Sequence, residues 1–214
     1  MMDRAQTAIA DQYAVALERR KNGGGEKSYT GYLYNQGLDK ILKKCGEETF
    51  EVCIAAKNDD QAETVGELND VLYHVTVLLC FSGVTLERVM ADLNRRCQTE
   101  GQSFDALMRV IEARRDSDDA ESYTAYLFRE GLDKILKKVG EACALLLIAG
   151  KDQNGERIAE ETGDLLYHLM VMMICKGITA DDLAEELERR SGKTGNLKTF
   201  HTSDHTTLFE TKSA

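Results

Sequence analysis

Apolar positions recur along this chain three and four residues apart, the period of helices that bury one face. A first run covers Asp3 to Lys21, with Ala8, Ile9, Tyr13, Ala16 and Leu17 on one stripe and a charged exit from Glu18. Asn22 and the glycines Gly23, Gly24 and Gly25 break it and read as a flexible connector. Ser28 is placed to cap the next element, whose early turns Gly37 kinks or interrupts. From there Leu38, Ile41, Leu42, Cys45, Thr49, Val52 and Ala56 make a buried face. Lys57 to Gln61 is a turn. A third helix runs from about Ala62 to Ser82, with Leu68, Val71, Leu72, Val75, Leu78 and Leu79 on its apolar side. Gly83 ends it, and Thr85 caps a fourth helix that reaches Arg95 and Arg96. The chain has no proline and little β-branched alternation, so the expectation is all-α.

The pattern then starts again. Ser122-Tyr-Thr repeats Ser28-Tyr-Thr, Gly131 to Lys138 repeats Gly37 to Lys44, and Asp164-Leu-Leu-Tyr-His echoes Asp70-Val-Leu-Tyr-His. The offset stays constant through Arg190, and roughly 29 of about 69 aligned positions are identical, which marks a tandem duplication. The expected division is a repeat over 1–98, a second over 99–190 and a polar tail over 191–214. Phe104 to Arg115 takes the part of the first helix, and Asp116 to Glu121 replaces the glycine connector. His201 and His205 stand four apart in the tail, but no helical pattern supports a metal pair there.

Candidate chemistry lies on the second and third helices of the first repeat. Glu47, Glu48 and Glu51 are three and four apart, and Glu67 and Asp70 are three apart. Such spacings put like charges on one helix face, where each pair repels by roughly 0.2–0.5 kcal/mol. Two antiparallel helices presenting these groups to each other need a cation, and oxygen donors favour Mg²⁺ or Mn²⁺ over zinc. A merely solvated acidic face is the plainer account of any single pair. Two clusters on consecutive apolar-periodic segments favour the metal. Lys40 and Lys44 lie on a neighbouring stripe, either to meet a phosphate or as surface lysines pairing with Glu48. His74 reads as a hydrogen-bonded core histidine rather than a ligand. In the second copy Glu47 persists as Glu141, but Glu48 becomes Ala142 and Glu51 becomes Leu145, while Glu161 and Asp164 remain. A site that needs both clusters is intact in copy one and broken in copy two.

The net charge of −10 over 214 residues argues against non-specific nucleic-acid binding. Six cysteines without a C-x-x-C pair read as buried, reduced thiols, and no apolar run is long enough to span a bilayer. A cytoplasmic protein is the expectation.

Lys-Lys-Cys-Gly-Glu-Glu-Thr-Phe-Glu at 43–51 and Glu-Leu-Asn-Asp-Val-Leu-Tyr-His at 67–74 resemble the phosphoribosyl-ATP pyrophosphatase branch of the MazG-like all-α nucleotide pyrophosphohydrolases. The likeness covers about residues 5–96 and again 104–190. It implies a helical bundle, here an intramolecular pseudo-dimer. It also implies Mg²⁺-dependent hydrolysis of phosphoribosyl-ATP to phosphoribosyl-AMP and pyrophosphate, the second step of histidine biosynthesis. Carried onto this chain, Glu47, Glu48, Glu51, Glu67 and Asp70 hold the metal. Glu47 or Glu48 accepts a proton from the attacking water, and Lys40, Lys43 and Lys44 offset phosphate charge. The second copy is expected to lend only shape, as a partner subunit would. Two rivals share the same residues: a hydrolase of free nucleoside triphosphates, and a non-catalytic nucleotide-binding or scaffold protein. A di-iron bundle fits poorly, because it wants Glu-x-x-His on two helices.

Overall fold

The computed structural model describes residues 2–23, 28–117, 119 and 121–191. Among them are ten helices and no strand: α1 Arg4–Asn22, α2 Tyr29–Gln36, α3 Leu38–Lys57, α4 Gln61–Ser82, α5 Leu86–Arg96, α6 Phe104–Ala113, α7 Tyr123–Glu130, α8 Leu132–Lys151, α9 Gly155–Cys175 and α10 Ala180–Ser191. Each repeat contributes five. Residues 24–27 of the glycine connector, Asp118 and Ala120 of its counterpart, and the tail from 192 with its two histidines lie outside the described residues.

Local chemistry sets the ends. Asp3 accepts from the Gln6 amide, Ser28 from Gly31 and Asp60 from Glu63, each filling an orphan donor of a first turn. Gly37 separates α2 from α3 outright, with φ +82°, and Gly131 does the same in the second repeat with φ +81°. A side chain is strained at either position. Thr85 stands at the N-cap of α5 with extended backbone, but its hydroxyl makes no cap hydrogen bond. α6 stops at Ala113, two residues before the pattern suggested, with Arg114 as its cap.

In each repeat two long helices form the main seam, α3 against α4 and α8 against α9. Leu33, Ile41, Leu68, Leu78, Leu127, Ile135, Leu146 and Ile158 are completely or almost completely buried. Burial of such side chains contributes about 1.5–3 kcal/mol each before the entropy cost. The repeats meet where α3 crosses α8 antiparallel. Lys57 reaches Asp133 at 2.6 Å and Lys151 reaches Asp39 at 2.7 Å, two exposed pairs related by the duplication. Gly46 and Gly150 let the two helices close, since a Cβ on either would press on a leucine of the other repeat.

The last helices cross over. α5 of the first repeat packs on α9 of the second, and α10 of the second packs on α1 and α4 of the first. The expectation that the duplicate lends only shape is therefore corrected: its final helix brings a charged side chain to the first repeat's carboxylates. The cysteines are all free, but Cys175 is exposed and Cys53 only half-buried, so not all are core thiols. Among the described residues no single helix is long and apolar enough to cross a membrane.

Candidate functional site

α3 and α4 run side by side and turn Glu48, Glu67 and Asp70 toward one another. Each offers a carboxylate oxygen within 4.8 Å of the other two, and among the described residues this is the group so disposed to hold a metal ion. The helical period explains it. Glu67 and Asp70 are one turn apart on α4, and Glu48 projects from the facing stripe of α3. Glu48 is only 3% exposed and Asp70 8%. Glu51 touches the group from one turn on, in hydrogen-bond contact with Glu48 and Glu67. Burial raises its carboxyl above the usual range, and the neighbouring Glu48 charge pushes the same way. Carboxylates crowded this closely repel one another, and that is the donor set a hard divalent cation relieves, so the residues present fit Mg²⁺ or Mn²⁺.

Glu47 points elsewhere. It pairs with Lys43 at 3.2 Å and Lys44 at 3.1 Å. Burial pushes its carboxyl up, but these lysines outweigh that and hold it below the ordinary range. Lys44 also binds Glu48 at 2.8 Å. Burial pulls its ammonium down, and the hydrogen bonds and charges of Glu48 and Glu47 more than reverse this. Lys43 and Lys44 thus line the edge of the carboxylate centre, and Lys40 sits one turn before Lys44 on the same helix.

His74 is a positioned core group. Its Nδ1 lies 2.8 Å from the Asp70 carbonyl, which can only accept, so Nδ1 carries the hydrogen and Nε2 accepts from the Tyr29 hydroxyl at 3.4 Å. Burial lowers its pKa, leaving it neutral at neutral pH despite Glu48 nearby. Tyr29 stacks near Tyr32 and Tyr73, and its phenol is pushed up by burial to about 12. These rings stand beside the lysine row and give the site an aromatic wall.

Arg190, from α10 of the second repeat, binds Asp70 at 2.8 Å, Glu186 at 2.6 Å and the Gly66 carbonyl at 3.0 Å. Its duplicate Arg96 does the mirror task, binding Asp164 and Asp92 at 2.6 Å each and the Glu160 carbonyl at 2.9 Å. Sequence reasoning missed both. The signal available was an Arg-Arg pair closing the last helix of each repeat, but nothing in spacing says that this helix docks on the other repeat.

Fold and site together define a duplicated all-helical protein with a single carboxylate centre, bordered by lysines and tyrosines, among its described residues. The family model for phosphoribosyl-ATP pyrophosphohydrolase matches residues 10–97 and again 104–191, and the chain belongs to that family. A phosphoribosyl-ATP pyrophosphatase from Limosilactobacillus fermentum is 44% identical over 97 residues, 45% of this chain and 92% of the relative. One from Streptococcus gordonii is 57% identical over 84 residues, 39% of this chain and 80% of the relative. The histidine biosynthesis bifunctional protein HisIE of Oceanobacillus iheyensis is 46% identical over 101 residues, 47% of each chain. No solved structure gives a significant match.

Proposed function

We propose that the first repeat hydrolyses phosphoribosyl-ATP to phosphoribosyl-AMP and pyrophosphate, with the second repeat completing its frame. The observation that carries this reading is the convergence of Glu48, Glu67 and Asp70 in a chain of this family. Those three carboxylates, with Glu51 adjoining, would hold Mg²⁺. When bound, the ion offsets phosphate charge as the phosphoanhydride is cleaved. Lys44, Lys43 and Lys40 bring positive charge to the phosphate chain from the α3 side. Glu51, at the edge of the group and in contact with Glu48 and Glu67, is placed to take the proton of the attacking water. Glu47 instead fixes Lys43 and Lys44 in place. Arg190 ties α10 to Asp70 on α4 and compensates that carboxylate's charge. A cytoplasmic location goes with the same reading.

The test is pyrophosphate release from the purified chain, with phosphoribosyl-ATP and ordinary nucleoside triphosphates side by side, with Mg²⁺ and in EDTA. Metal-dependent release from phosphoribosyl-ATP well above that from the others is expected. Equal turnover of all substrates would replace the reading by a general triphosphate hydrolase, and no turnover by a binding protein.

A further inference from the structure

The second repeat keeps most of the first site's polar frame. Tyr123 donates toward His168 Nε2 at 3.2 Å, His168 Nδ1 faces the Asp164 carbonyl at 2.9 Å, and Thr124 meets the Tyr167 hydroxyl at 2.7 Å. The equivalent Thr30–Tyr73 distance is also 2.7 Å. Tyr123 packs 6.3 Å from Tyr126 and 6.4 Å from Tyr167, as Tyr29 packs 6.0 and 6.1 Å from Tyr32 and Tyr73. Lys134, Lys137 and Lys138 stand where Lys40, Lys43 and Lys44 stand in copy one.

What differs is the balance of charge. In copy one, six carboxylates (Glu47, Glu48, Glu51, Glu67, Asp70 and the Arg190 partner Glu186) stand against three lysines and Arg190, two charges net negative. In copy two, four carboxylates (Glu141, Glu161, Asp164 and the Arg96 partner Asp92) stand against three lysines and Arg96, with no net charge. Ala142 and Leu145 offer no oxygen to a cation. Lys138 no longer spans two carboxylates on its own helix; it pairs with Glu141 at 2.6 Å, and Ala142 stands where the first repeat has Glu48. The Lys134 ammonium lies 5.4 Å from the centre of the Tyr126 ring. Tyr123 is 44% exposed, and Leu145 and Ile148 are exposed to a similar degree. The result is an open face of ammonium groups beside aromatic rings and an aliphatic ledge.

We propose that this face of the second repeat is a separate, non-hydrolytic site that binds a nucleotide through its phosphates without a divalent cation. Lys134 and Lys138 hold the phosphates, and Tyr123 with Tyr126 takes the base or sugar. The proposal rests on reading the lysine-and-ring face of the first repeat as its nucleotide side.

ATP is the probe, titrated calorimetrically into the full chain in EDTA. One saturable site per chain is expected. The doubly substituted Lys134→Ala/Lys138→Ala chain should weaken it at least tenfold while Mg²⁺-dependent pyrophosphate release stays within about twofold. Lys40→Ala/Lys44→Ala should do the reverse. The four lysines are half-buried, Lys44 against Glu48, and circular dichroism checks that each variant stays folded. No saturable binding in EDTA overturns the proposal. So does binding that survives loss of Lys134 and Lys138, or that disappears with Lys40 and Lys44. Metal-free binding that persists in a chain lacking turnover would sink the hydrolase reading and leave the second site standing.

Discussion

Asp70 faces Glu48 and Glu67 in the group proposed to hold a cation, and it pairs with the guanidinium of Arg190. Asp70→Asn keeps the size and a hydrogen-bond acceptor for Arg190 but gives up the ligand charge. It should lower Mg²⁺-dependent pyrophosphate release by about two orders of magnitude or more, with an unchanged far-ultraviolet dichroism spectrum. Retained activity in this variant would remove Asp70 from the centre. Glu51 makes a prediction in pH. Its carboxyl holds a proton more tightly in the folded protein than at its ordinary value of 4.5. The metal-free folded state therefore binds more protons than the unfolded chain as pH rises above that value, and Glu51's contribution to stability falls across the window. In EDTA, the melting temperature of the parent relative to Glu51→Gln should fall as pH is raised from about 4.5. A flat difference would mean that the crowding is absent. The carboxylates were legible in the sequence because a helix converts spacing into a shared face. The division of labour among them was not, since Glu47 and Glu48 are adjacent and both pair with Lys44 within α3, and only packing against α4 takes Glu48 into the seam.

Among the elements, the two crossing helices carry most of the news. Arg190→Ala leaves Asp70 buried beside an unfilled position and removes the tie from α10 to the Gly66 carbonyl. Because the arginine is partly exposed, a loss of about 1–2 kcal/mol in urea unfolding is expected, short of the full cost of breaking a buried pair. On the other arm, Gly163 of α9 lies directly under Asp92, and a Cβ there would run into the carboxylate that holds Arg96. Gly163→Ala should lower stability by about 1 kcal/mol even though alanine is the better helix former. Gly155→Ala meets only a Val84 methyl at ordinary contact distance and should change melting little. Unchanged melting in Gly163→Ala would show that α5 sits away from α9. The helix spans themselves followed from apolar period and caps, apart from the ends of α6 and the unused Thr85 hydroxyl.

For the whole molecule, the duplication sets two like units against each other through α3 and α8, with their last helices exchanged. Arg96 and Arg190 are equivalent, so a fragment of residues 1–98 that dimerises through α3 would put the partner's Arg96 where Arg190 now lies. Such a fragment should sediment as a dimer and bear two carboxylate centres, each with Glu48, Glu67 and Asp70. Sedimentation together with turnover per fragment checks this. A monomeric, active fragment would show that the crossing helix is dispensable.

Residue spacing alone determined the helices, the twofold repetition and the loss of two carboxylates in the second copy, because these depend on period and local identity. Tertiary structure decided that the closing helices exchange between repeats, that Arg190 reaches Asp70, and that Glu48 rather than Glu47 enters the seam with α4. Those outcomes hang on which surfaces dock across long stretches of chain, and the short-range pattern carries no record of that choice.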